Sequence, residues 1–219
     1  MNLFVVLFFI GPGAVAFGGG TTVGDGGHIV ICGSKAEVLD IYERRILVGP
    51  SEINFGNENM TLQQMKDVGL ARVRARFKLT NQEFEKVATA ATMLLNSPVD
   101  PWVDESDPLT YFLQTKSISI EQAVYNSIKQ NYCEIDIVAI KPPKELPQKI
   151  HDIYDNICAK KHLAREDCFF VSQAAFSWLT KKQKACLAIH ESLRYLPANI
   201  SFVDERSMRR AVAEICTNN

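Results

Sequence analysis

The side chains able to do chemistry gather in the stretch from Lys184 to Leu196, where His190 and Glu191 stand together inside an apolar run. A His-Glu pair on a helix is the first half of the His-Glu-x-x-His pattern of zinc peptidases. There, two histidines one turn apart hold the metal and the intervening glutamate serves as general base on metal-bound water. His190 is therefore a candidate metal ligand and Glu191 a candidate catalytic base. Cys186, one turn earlier, could add a thiolate. Where the second histidine belongs stands Arg194, a cation with no lone pair to offer. Only His28, His151 and His162 remain elsewhere as imidazole donors. The reading favoured by this ligand count is a polar network without a cofactor, with zinc as the alternative. In that network Glu191 pairs with Arg194 at i,i+3, and Arg209 or Arg210 reaches back to Glu191 from the last helix beside Ser207. Ser192 is not a convincing nucleophile, because no Gly-x-Ser-x-Gly elbow surrounds it.

The pair needs a helix to carry it, and the local signals supply one. Thr180 with Gln183 forms a capping box, and Pro197 stops the helix. Cys186, Ile189, His190 and Leu193 fall at i, i+3, i+4 and i+7, which places the histidine on the buried face. Upstream, His28–Cys32 reads as a strand, and Gly33-Ser34 turns the chain into a helix from about Ala36 with Val38, Leu39, Tyr42 and Ile46 on one face. Thr61 with Gln64, and Thr80 with Glu83, cap two further helices. The first carries the basic run Arg72–Lys78, read as a helix with solvated charges. The second has a 3.6-period stripe from Phe84 to Leu95. The proline-rich acidic segment from Asn96 to Pro108 reads as a surface loop. Ser119 with Gln122 starts a helix through about Tyr132, and Glu134–Ile140 alternates as a strand. A helix follows Pro147, and Cys168–Ser172 is a third strand. The last helix, Glu205–Cys216, packs through Met208, Ala211, Val212 and Ile215, and shows the pairs Glu205-Arg209 and Arg210-Glu214 on its exposed face. Together these elements predict a single α+β domain over 28–219, mostly helical, with a small sheet of three short strands.

Composition narrows the class of function. The chain has 219 residues, 47% of them hydrophobic, and a formal net charge of −1. That balance argues against a general binder of nucleic acid or anionic membranes. Leu3–Ile10 is an unbroken apolar run, too short for a transmembrane segment, followed by Gly11-Pro12-Gly13 and the A-x-A site Ala14-Val15-Ala16. Residues 1–16 are thus expected to be a signal peptide, and the glycine-rich residues 17–27 a flexible mature N-terminus. The six cysteines all follow this segment, so an exported chain, periplasmic or secreted, should form at least two disulfides. An envelope protein is the partner class that such a location implies.

Two resemblances attach to these residues. Gly26-Gly27-His28-Ile29-Val30-Ile31-Cys32 followed by Val38-Leu39-Asp40-Ile41-Tyr42-Glu43 resembles the mature N-terminus of uncharacterised exported proteins of predatory Gram-negative bacteria. Their C-terminal pattern has an aromatic/Leu segment, then Leu-x-x-His-Glu, then a Ser-x-x-Arg helix. It is matched here by Phe176–Leu179, Leu187–Glu191 and Ser207–Arg210. A strand leading into a His-Glu helix also resembles the active-site helix of zincin peptidases, from which this chain departs at Arg194. The first resemblance implies export and carries no activity to transfer. The second implies zinc and hydrolysis. The expected function is an exported, non-catalytic protein built around a degenerate zincin-like His-Glu helix. The alternative is a metal-dependent hydrolase or peptidase with an unorthodox ligand set.

Overall fold

A computed structural model describes residues 27–96, 118–140, 148–160 and 168–217. The expected signal peptide, all but the last residue of the glycine-rich stretch, and the acidic loop from Ser97 to Pro108 lie outside the described residues.

Four strands form one antiparallel sheet: β1 (Gly27–Cys32), β2 (Lys35–Val38), β3 (Glu134–Ile140) and β4 (Phe170–Val171), in the order β2-β1-β3-β4. The three expected strands are present, the last shortened to two residues, and β2 is additional. Its origin is the Gly33-Ser34 pair. Gly33 has φ +62°, and Cys32 pairs directly with Lys35, so the two residues close a tight hairpin that glycine permits at its first position. The helix expected from Ala36 therefore begins three residues later, at α1 (Leu39–Leu47). Val38 pairs with Ile29 and is buried.

The remaining helices are α2 (Leu62–Phe77), α3 (Asn81–Asn96), α4 (Gln122–Gln130), α5 (Gln148–Lys160), α6 (Gln173–Ser177), α7 (Lys181–Ser192) and α8 (Glu205–Thr217). The capping boxes at Thr61 and Thr180 are both made, each hydroxyl accepting from the backbone N–H of its partner glutamine and each glutamine side chain returning to the cap N–H. Ser119, by contrast, does not cap α4, whose N-cap is Glu121. Its carbonyl and hydroxyl serve arginines of α8 instead.

Helix α7 is the centre of the molecule. It runs on through a 3-10 turn (Leu193–Tyr195) and contacts α2, α3, α8 and strands β1, β2 and β3. A helix enclosed on every side is expected to be buried all round rather than along one stripe. Every residue from Ala185 to Ser192 is indeed buried, where the spacing alone predicted one face. The main core joins α7 to Phe55, Met65 and Val73 on one side and to Ile29, Val138 and Val171 of the sheet on the other. A smaller cluster of Val30, Leu39, Tyr42, Val124 and Ile128 seals the opposite sheet face under α1 and α4.

The basic run Arg72–Lys78 is helical as expected, but its charges are partly used in packing. Arg72 donates to the Ile215 carbonyl at 2.9 Å and Arg76 pairs with Glu214 at 2.5 Å, tying α2 to α8. Three disulfides complete the frame: Cys32–Cys133, Cys158–Cys168 and Cys186–Cys216. They link the hairpin to the start of β3, α5 to the approach of β4, and α7 to α8. Among the described residues no helix is long and apolar enough to cross a membrane.

Candidate functional site

Among the described residues, ionisable groups gather in the core at the C-terminal half of α7 and the two helices beside it. His190 is 1% exposed and Glu191 is 0% exposed. Burying such groups is costly unless each finds a partner. His190 Nδ1 lies 2.9 and 3.1 Å from the two carboxylate oxygens of Asp40, which is itself buried on α1. Its other nitrogen, Nε2, is 3.9 Å from Glu191 Oε1. The second oxygen of Glu191 meets Arg194 Nε at 3.0 Å, which is the i,i+3 pair expected from the sequence. Asp40, His190, Glu191 and Arg194 thus form one continuous line from α1 through α7 into the 3-10 turn.

A second group lies one turn along α1. Glu43 receives two bonds from Arg209, at 2.6 Å from Nε and 3.0 Å from Nη2. Arg209 Nη1 pairs with Glu205 at 2.7 Å, and Nη2 also donates to the Ser119 carbonyl. The fork of a guanidinium suits this two-sided grip. Because Asp40 and Glu43 are three residues apart, they project from the same side of α1. One receives α7 and the other receives α8.

Several expectations change here. Arg209 does not reach Glu191; it is 1% exposed and belongs to Glu43 and Glu205, so the Glu205-Arg209 pair is internal rather than on a solvated face. Arg210 does not reach Glu191 either. It pairs with Glu121 at the surface, and its expected partner Glu214 pairs with Arg76. Ser207 lies outside the network: its hydroxyl and backbone N–H bond to Asp204 at the start of α8. Cys186 is joined to Cys216 and in that form has no thiolate to ligate a metal. Gly27 is not part of a flexible mature N-terminus but opens β1 against α7. A Cβ there would stand 2.1 Å from Leu187 Cδ1 and 3.2 Å from Glu191 Oε1, so a missing side chain is what lets the strand approach the pair.

Zinc requires at least three donors converging on one point. His190 has its Nδ1 held by a carboxylate, as the histidines of metal sites do, and Glu191 stands near its Nε2. Arg194 occupies the position the second histidine would take, and Cys186 is oxidised. Among the described residues no three His, Cys, Asp or Glu side chains are grouped to hold an ion. The residues fit one donor and not a set.

The electrostatics favour a protonated histidine. Burial works against the charge, but Asp40, by its own charge and by its hydrogen bond, outweighs it with help from Glu191, while Arg194 opposes. The net effect raises His190 above its ordinary value of 6.5. A group raised in the folded state stabilises fully below its unfolded pKa of about 6.5, and that contribution is lost as pH rises through the folded value. Stability should therefore fall as pH rises above about 6.5, with a limiting slope of about 1.4 kcal/mol per pH unit for one proton. His190→Gln should flatten that slope. Urea denaturation from pH 5 to 9 measures it, and parallel profiles for the two proteins would show that His190 titrates alike folded and unfolded.

Comparison of the chain with protein-family models, curated proteins and solved structures finds no match. Function has to be argued from these side chains themselves.

Proposed function

We propose that this chain is an exported, non-enzymatic protein in which the zincin-like helix is structural and locks α1, α7 and α8 together through buried charge. The observation that carries this reading is the enclosure of the pair. His190 and Glu191 are shut from solvent, with Asp40 on one side and Arg194 on the other. Neither is placed to touch a substrate. Export is supported by the leader-like residues 1–16 and by three disulfides, which suit an oxidising compartment. The resemblance to exported proteins of predatory bacteria points the same way, and it makes another envelope protein the partner class to look for.

A second reading, a metal-dependent hydrolase, has one observation in its favour. His190 Nε2 and Glu191 Oε1 are both buried, only 3.9 Å apart, and neither makes a hydrogen bond to the described residues. Glu191→Gln separates the two readings. The amide keeps the shape but loses the charge opposite Arg194, so the structural reading expects a loss of about 2–3 kcal/mol, within the range for bonds to charged groups. It also expects no stoichiometric zinc in the parent protein. A parent-like melt for Glu191→Gln, together with one zinc per chain that His190→Ala releases, would establish the hydrolase instead.

A further inference from the structure

The outer side of α1 and α8 encloses a cavity of about 430 Å³ whose floor is Asp40 and Glu43 and whose mouth reaches Glu121 at the start of α4. That size is in the range of small-molecule sites. Its lining is rich in charge of both signs, and what it would bind depends on which charges already have partners.

The four carboxylates are all engaged. Asp40 is held by His190, Glu43 by Arg209, Glu121 by Arg210 and Glu214 by Arg76. Of the three guanidiniums in the lining Arg210 is spent on Glu121, and the other two have no carboxylate in ion-pair range among the described residues. Arg206 directs Nε and Nη2 to the neutral hydroxyl of Ser119, at 3.1 and 3.0 Å, and among the described residues only the exposed Asp204 feels its charge, without an ion-pair contact. Arg44 has no acidic partner among the described residues either, and its Nε is buried without a hydrogen bond. A buried donor left unsatisfied in this way costs stability until an acceptor arrives. Beside these two arginines the wall is apolar, with Leu47, Val48 and Ala213, and Val48 is 69% exposed.

We infer that this cavity is a binding site for a small carboxylate with an aliphatic tail, its head between Arg44 and Arg206 and its tail along Leu47 and Val48. A planar carboxylate matches the guanidinium fork. The four acids in the lining make a dianion such as inorganic phosphate a poorer guest than a monoanion. The site shares Asp40 and Glu43 with the buried network, but the ligand would touch neither His190 nor Glu191, so the two readings can fail separately.

Calorimetric titration of the oxidised full chain with sodium octanoate tests it. Saturable one-to-one binding is expected, weakened at least tenfold by Arg44→Gln and by Arg206→Gln. Arg45→Gln, which touches an arginine of the same helix paired with Glu37, should bind as the parent does. Octanol should bind at least tenfold more weakly than octanoate, and inorganic phosphate should not displace it. Absence of saturable binding, equal binding of octanol, displacement by phosphate, or affinity unchanged in both cavity variants would overturn the inference. Melting curves establish that each variant is folded, and if Arg44→Gln is not, Arg206→Gln decides the matter alone.

Discussion

Arg209→Met is expected to destabilise the fold by about 3–5 kcal/mol, whereas Arg210→Met, one residue along the same helix, should change stability by no more than about 0.5 kcal/mol. Arg209 is enclosed, with Glu43 on two of its nitrogens, Glu205 on the third and the Ser119 carbonyl sharing one of them. Its removal leaves two carboxylates facing each other in the core with no cation between them. Arg210 has only Glu121, and its side chain is 65% exposed, so the solvent replaces most of what is lost. Equilibrium urea denaturation of both variants measures the contrast. A further variant separates the pair's net value from the cost of breaking it: Glu43→Leu with Glu205→Leu in the Arg209→Met background should recover much of the loss, because apolar replacement of a whole buried ion cluster is often neutral or favourable. Equal, small effects at Arg209 and Arg210 would show that the buried cluster contributes nothing to holding α8 on α1.

How much of this fold is readable from the chain depends on distance along it. The boundaries of α7, its capping box and the Glu191-Arg194 pair are set by residues within one or two turns, and local rules find them. The partners of the site are not local. Asp40 lies 150 residues before His190, and Glu43 lies 166 before Arg209. Nothing in a window of the sequence joins them. A signal is nonetheless present: Asp40 interrupts the apolar run Val38–Tyr42 and Glu43 ends it, and two acids one turn apart on a helix bounded by core residues imply buried counter-charges elsewhere. The arginine that answers Glu43 belongs to α8, where 3.6-residue periodicity puts Arg209 at the edge of the apolar stripe and Arg210 opposite it. Periodicity sorts residues into a buried and an exposed face, and it fails where a polar group is buried because another polar group demands it. The missed strand has a different cause. Gly33-Ser34 between two short runs is a hairpin signal, but β2 is only four residues long and leads straight into α1, so its helix-like continuation masks it.

Removing the Cys32–Cys133 bridge should cost about 4–5 kcal/mol, the largest loop-closure loss of the three bridges, if chain entropy governs. Cross-linking limits the unfolded chain in proportion to the logarithm of the loop it closes. The sequence separations are 101 residues for Cys32–Cys133, 30 for Cys186–Cys216 and 10 for Cys158–Cys168. On the loop term alone these correspond to about 4.7, 3.6 and 2.7 kcal/mol. Cys158, Cys168, Cys186 and Cys216 are all buried, so alanine at those positions also removes packed atoms and adds a cavity cost to the loop term. The half-buried Cys32 and Cys133 avoid most of that cost, so their bridge gives the cleanest reading of the loop term. Paired Cys→Ala variants in urea, with the parent as reference, give each loss directly, and a Cys32/Cys133 variant that loses less than about 3 kcal/mol would refute the entropic account. The bridges also bear on location. A fold that gains several kcal/mol from three disulfides, against the 5–15 kcal/mol typical of a whole domain, cannot lose them all and stay well folded. Expression in a reducing compartment should therefore yield a chain that melts well below the oxidised protein, and equal melting of the two forms would remove the disulfides as support for export.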